Sequence, residues 1–219
     1  MTIDASQGPA AVRTRSEPYP PAPWELFGQA QVHLLALPAA RLQRVPDGFA
    51  PLLLGGSALV AAGFIDYQRS SMVRYGELFA AVVGRIEGTG RVTSTVTHMW
   101  VDSDVSRRGG RELWGYPKEL ASLRLAIDPG GSASAADTAG QIASAQMRPL
   151  LVSPLRISFN GGTAQPLHGA LRPVRARMRG RPVIGAGSFA ADRDGPLGFL
   201  TDARHIIAFG LRDFHFTFG

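Results

Sequence analysis

The chain has 219 residues, 45% of them hydrophobic and 18% charged, with a formal net charge of +6 and no cysteine. That balance describes a globular protein long enough to bury a core, and it excludes disulfides, thiolate catalysis and cysteine-bound metals. No stretch of about 18 apolar residues and no signal-like apolar run occurs, so a cytoplasmic protein that makes no use of a membrane is expected.

The first 23 residues contain five prolines. Residues 1–23 read as a flexible Pro-rich arm, with 24–219 as a single domain. Gln31 to Leu37 is an apolar run with His33 inside it and predicts a first strand. Pro38 to Val45 places a proline in a plausible first helical turn, predicting a helix of about two turns that Pro46 stops. Ser57 to Gln68 is continuously apolar until Asp66-Tyr67-Gln68, as a buried strand is when it reaches an opening. Tyr75 to Val83 predicts another strand, followed by a glycine-rich turn over Gly84 to Gly90. Arg91 to Val101 alternates, with Val92, Ser94, Val96, His98 and Trp100 on one face. Three strands in succession with short turns argue for an antiparallel sheet.

Asp102-Ser103-Asp104 offers a cap for a short helix over Val105 to Leu113, interrupted by Gly109-Gly110. Pro117 disfavours helix at Tyr116, so Lys118 falls on a turn or a strand start. Leu120 to Ile127 predicts a strand, and Asp128 to Gly140 a small-residue hairpin loop. Further strands are expected over Gln141 to Met147, Leu150 to Phe159, His168 to Arg179, Pro182 to Phe189 and Ile206 to Phe218. About ten strands and two or three short helices make the fold mainly β (α+β), most naturally closed into a barrel.

Of the 23 basic residues, 22 are arginine and the one lysine is Lys118. A solvated surface cation can be either residue, so the exception points to chemistry that arginine cannot perform. Lysine loses its proton when desolvated and attacks a carbonyl, whereas the guanidinium stays charged. The alternative reading is a lysine retained by chance.

The residues around it form a recognisable string. Val101-Asp102-Ser103, then Gly110-Arg111-Glu112-Leu113-Trp114-Gly115-Tyr116-Pro117-Lys118, with Tyr75-Gly76-Glu77-Leu78 upstream, resembles the signature of the acetoacetate decarboxylase-like superfamily. The resemblance runs from about Gln31 to Arg124 and more loosely to the C-terminus. It implies a large curved antiparallel sheet closed into a cone-like barrel with a few short helices, a Schiff-base lysine in its interior, and a homo-oligomer. It implies a lyase that uses no cofactor and joins Lys118 to a small keto acid or ketone, with Glu77 as the carboxylate that moves protons. Trp114, Tyr75, Asp66, Arg111 and Glu119 are the candidate substrate-binding residues, although Arg111 also reads as a partner of Glu112 that fixes the turn.

Two positions depart from the decarboxylase pattern. A second lysine follows the reactive one in decarboxylating members, and here the residue is Glu119. The arginine that receives the substrate carboxylate is absent from Trp24 to Val32, and another basic residue, such as Arg69 or Arg74, would have to substitute for it. Decarboxylation, aldol condensation and dehydration therefore all remain open, and so does a non-catalytic barrel that binds a small carbonyl ligand with Lys118 paired to Glu77.

The five histidines show no metal-ligand spacing, and no metal is expected. His98 reads as a hydrogen-bonded core residue. Arg172, Arg175, Arg177, Arg179 and Arg181 form the densest basic cluster, with the odd positions from 175 on one strand face. A solvated face or a subunit contact is the simpler account, and nucleic acid is not an expected partner.

Overall fold

The computed structural model describes residues 18–70, 73–128 and 130–219, with the side chains of Arg69 and Ser70 also outside the described set. The strands are β1 (Trp24–Pro38), β2 (Phe49–Pro51), β3 (Leu53–Leu54), β4 (Ser57–Ser70), β5 (Tyr75–Ile86), β6 (Val92–Val101), β7 (Lys118–Leu120), β8 (Ser122–Ala126), β9 (Gly131–Asp137), β10 (Gly140–Val152), β11 (Ile157–Leu167), β12 (Ala170–Ala191) and β13 (Arg204–Phe218). One α-helix, α1 (Asp104–Trp114), interrupts them between β6 and β7.

All the strands belong to one sheet whose backbone runs β11-β6-β5-β4-β1-β13-β12-β10-β9-β8. Because β11 also pairs along its length with β12, the hydrogen-bonded path returns to its start through seven strands. The closing contact is thin: β11 and β6 meet in parallel at the single bridge Thr163–Ser94. The 22-residue β12 serves both parts of the sheet. Its first half pairs with β11 and its second half carries β10, from which β9 and β8 extend.

Two apolar clusters follow from strand alternation. On β4 and β5, Val60, Ala62, Phe64, Leu78, Ala80 and Val82 face outward from the ring, where Ala133, Ala135, Ile142, Ala143 and Ala145 of β9 and β10 cover them. Ile65, Tyr67 and Tyr75 face the ring interior with Trp24, Leu26, Phe214 and Phe216. Burial on both faces explains why β4 and β5 read as continuous apolar runs rather than alternating ones.

Several expected elements take different forms. The helix after Pro38 is a single 3-10 turn, Ala39–Arg41, without a side-chain cap or a buried residue to hold it. The expected loop over 128–140 contains β9, whose alanines alternate with serines and pack against the sheet. The two strands expected over 168–189 are one. On β6, Val92 to Trp100 do not share a face. A bulge at Thr97, between the pairs Ala81–Val96 and Ala80–His98, turns Val96 toward the interior and Trp100 toward the outer cluster. The N-terminal arm lies largely outside the described residues. From Pro18 onward the chain rests on α1, where the Tyr19 hydroxyl donates to Glu112 Oε2 at 2.5 Å.

Candidate active site

Helix α1 starts at Ser103, whose hydroxyl accepts from the Ser106 N–H, and ends at Gly115 in the left-handed conformation (φ 73°). Only glycine fits there without strain, and a Cβ would also lie 2.2 Å from the Pro166 carbonyl oxygen. The reversal leaves three residues to cross into β7, which runs parallel to β6 with Lys118 opposite Met99. Arg111 Nε donates to the Lys118 carbonyl at 2.6 Å and so ties the helix to the strand it feeds. The turn aims the Lys118 side chain into the ring.

Gly110 makes that path possible. A Cβ on it would sit 2.7 Å from both Cδ and Cε of Lys118, so the lysine stem lies directly against helical backbone. One turn earlier, on the same helix face, Ser106 meets the amine. Lys118 Nζ donates to Ser106 Oγ (2.9 Å), Glu77 Oε2 (2.9 Å) and, at longer range, the Tyr75 hydroxyl (3.4 Å). Lys118 is 3% and Glu77 4% exposed, so this is a buried ion pair. Tyr67 donates to the other Glu77 oxygen at 3.4 Å.

Burial alone would push the Lys118 ammonium down, yet the Glu77 carboxylate beside it, with Tyr75, holds it above the ordinary lysine range. The resting amine is therefore protonated. Burial raises the Tyr75 hydroxyl and pushes that of Tyr116 up to about 12, and burial and Glu77 raise Tyr67 well above its usual value. All three tyrosines are neutral proton donors at pH 7. The amine opens onto a cavity of about 220 Å3, below the roughly 300–1,000 Å3 of drug-sized sites. Its walls are mostly apolar, including Trp24, Leu26, Ile65, Met99, Met178 and Phe216, with hydroxyls from Ser94, Thr163 and Tyr116.

The acetoacetate decarboxylase family model matches residues 13–156. The chain belongs to the acetoacetate decarboxylase family. No curated protein matches it in sequence, but solved structures share its fold. It is similar to an acetoacetate decarboxylase from Legionella pneumophila (TM-score 0.65, 17% identity, covering 99% of this chain and 95% of that one). An acetoacetate decarboxylase-like enzyme from Sphingomonas wittichii RW1 matches with TM-score 0.64 and 16% identity, over 90% and 91% of the two chains. The enduracididine biosynthesis enzyme MppR, complexed with the condensation product of pyruvate and imidazole 4-carboxaldehyde, matches with TM-score 0.62 and 16% identity, over 99% and 95%.

Of the residues singled out in this family member's sequence, Lys118, Glu77, Tyr75 and Trp114 meet at the cavity. Asp66, Arg111 and Glu119 do not line it. Asp66 lies between the inward-facing Ile65 and Tyr67, so the strand points it away, and its carboxylate accepts from Gln68 Nε2 at 2.9 Å. Glu119 follows Lys118 on β7 and is turned outward for the same reason. It pairs with Arg111 on the exposed side, and the expected Arg111–Glu112 pair gives way to that contact. Glu112 instead receives Tyr19.

Arg74 is exposed outside the cavity, and the Arg69 side chain lies outside the described residues. His98 is the expected hydrogen-bonded residue, contacting Thr97 Oγ1 at 3.0 Å and stacking on Trp100, with its imidazole lowered by burial. Sequence reasoning missed Ser106, Tyr67 and Tyr116. Ser106 carried a signal in the spacing Ser106-x-x-x-Gly110, which places a small polar and a small apolar residue on one helix face beneath the lysine.

Proposed function

We propose that the protein is a Schiff-base-forming lyase in which Lys118 condenses with the carbonyl of a small keto acid or ketone and Glu77 moves the protons. The observation that carries this reading is the 2.9 Å contact between a buried lone lysine and a buried carboxylate at the wall of an apolar cavity. MppR, which shares the fold, is bound to pyruvate in one structure and to a pyruvate condensation product in another. The protonated amine passes its proton to Glu77 along the existing hydrogen bond, and the neutral nitrogen attacks the carbonyl carbon. Glu77 then returns that proton to the carbinolamine hydroxyl, water leaves, and an iminium ion remains. Loss of a proton or of carbon dioxide from the adjacent carbon yields the enamine common to aldol, dehydration and decarboxylation chemistry.

The missing second lysine changes how the amine is activated. Among the described residues no cation stands beside Lys118 to depress it, so burial and transfer to Glu77 must do so. Three hydrogen bonds to a charged Nζ also favour a second reading, a non-catalytic barrel with a structural Lys118–Glu77 pair around a carbonyl ligand. Borohydride reduction in the presence of ketones and keto acids separates the two. A mass increment mapped to Lys118 supports the enzyme, and no increment with any carbonyl on folded protein supports the barrel.

The same proposal takes 24–219 as one domain working in the cytoplasm as a homo-oligomer. Leu151, Ile184 and Phe209 support self-association, because they lie side by side across β10, β12 and β13 and all three are exposed. A monomeric mass by light scattering would remove that part of the proposal.

A further inference from the structure

The charge inventory of the cavity narrows the substrate class, given that Lys118 is the nucleophile. Among the described residues the one cation facing the cavity is Lys118, and its charge is already matched by Glu77. Among the described residues no arginine lines the cavity, in a chain with 22 of them. β12, which carries the densest run of arginines, turns Arg175, Arg177 and Arg179 away from the cavity. On β12 the cavity-facing residues are Ala176 and Met178, while Arg175, Arg177 and Arg179 between and beside them are exposed. Arg111, the nearest on α1, lies behind Lys118 on the exposed side and is engaged with Glu119. The polar groups that remain in the walls are hydroxyls of Ser94, Thr163 and the three tyrosines.

A keto acid entering this site would bring a second carboxylate next to Glu77 with no unpaired cation among the described residues to receive it. Desolvating an anion among aromatic and aliphatic walls is costly when nothing pairs with it. A neutral aldehyde or ketone avoids that cost and leaves the Lys118–Glu77 pair balanced through imine formation. Its apolar body matches the walls, and its oxygen can accept from a tyrosine hydroxyl.

We infer that the cavity selects an uncharged, predominantly apolar aldehyde or ketone and discriminates against keto acids. The reaction class changes with the substrate. A neutral ketone has no carboxylate to lose, so the enamine arises by removal of a proton from the carbon next to the iminium. The product is then a condensation or dehydration product, with water as the leaving molecule and no oxidant required.

An isosteric pair of ketones tests this on the full-length protein. In 6-methylheptan-2-one an isopropyl group replaces the carboxylate of 5-oxohexanoate, and three methylenes insulate the carbonyl in both. Their intrinsic reactivity toward an amine is therefore alike, and can be checked with acetyl-lysine. Trapping at Lys118 by borohydride is followed by mass spectrometry at equal concentrations. The expected result is that the neutral ketone labels on the order of 100-fold faster than the keto acid, the factor that an unpaired carboxylate near Glu77 would impose. Equal or faster labelling by the keto acid overturns the inference and leaves Lys118 as nucleophile. No labelling by either ketone, on protein that melts cooperatively, overturns the nucleophile itself and this inference with it.

Discussion

Replacing Glu77 with glutamine separates a working nucleophile from a structural ion pair. At 2.9 Å and an effective dielectric near 20, the carboxylate stabilises the ammonium by about 6 kcal/mol, equivalent to roughly 4 pKa units. Relaxation of the site reduces this, so a fall of about 2–4 units is expected in Glu77→Gln, with burial left unopposed. The amine, above the ordinary lysine range in the parent, should then titrate below the ordinary lysine value of about 10.4, because burial acts on it unopposed. Lys118 is the only lysine, so one isotope-labelled lysine resonance followed across pH reports it without ambiguity. The variant amine is more often neutral, yet it has lost the group that returns the proton to the departing hydroxyl, a role worth about 100-fold or more. Borohydride trapping is therefore expected to slow although the nucleophile is freer.

Stability should also change its pH dependence. In the parent the pair's contribution is fully present below the unfolded pKa of about 10.4 and is lost as pH rises through the higher folded value. In the variant the folded amine is depressed, the unfolded chain binds more protons between that depressed value and about 10.4, and stability rises with pH over that window. A variant amine that still titrates above about 10, with unchanged trapping, would refute this account of the site.

Three further perturbations probe the surroundings. Ser106→Ala removes a 2.9 Å acceptor from Nζ and should cost about 1–3 kcal/mol, read as a lower urea midpoint together with slower trapping. Gly110→Ala places a methyl against the lysine stem; a helix gain of about 1 kcal/mol offsets part of an overpacking cost of about 1–3 kcal/mol. The melting temperature should therefore shift modestly while trapping at Lys118 falls at least about tenfold. Acid should act through His33, which burial and the neighbouring His205 lower to about 4. Its folded value is depressed, so the unfolded chain takes up the proton first, and the contribution present above about pH 6.5 is lost as pH falls toward 4. Going from pH 7 to pH 5 should remove about 2 kcal/mol, measured by urea unfolding, and His33→Gln should flatten that dependence.

The strands that the sequence displayed best were those with two buried faces or strict alternation. Ser57 to Gln68 and the tail from Phe214 to Phe218 announced β4 and β13 because nearly every side chain, or every second one, had an apolar surface to meet. What stayed hidden was set by tertiary contact. Alanine and serine around β9 resemble a loop by propensity. Their alternation becomes meaningful only once β4–β6 supply a face that such small residues can approach closely. The bulge at Thr97 was invisible for a related reason: the Thr97 hydroxyl donates to the Ala80 carbonyl at 3.3 Å, and nothing local in Val92–Val101 fixes that register.

The site divides along the same line. Chemical identity was legible, because a lone lysine among arginines and a glutamate two residues beyond Tyr75 are features of composition and spacing. Direction was not. Asp66 and Glu119 were reasonable candidates until the strand period placed each beside a residue facing the cavity and so turned it away. The same period that removes these two carboxylates from the cavity leaves Glu77 as the one that reaches the amine. With Arg175, Arg177 and Arg179 of β12 also turned outward, the described cavity lining holds one cation and one anion. That balance is reached without any substrate, so in the proposed reaction a charged ligand finds no partner among the described residues and the first proton transfer occurs within the pair.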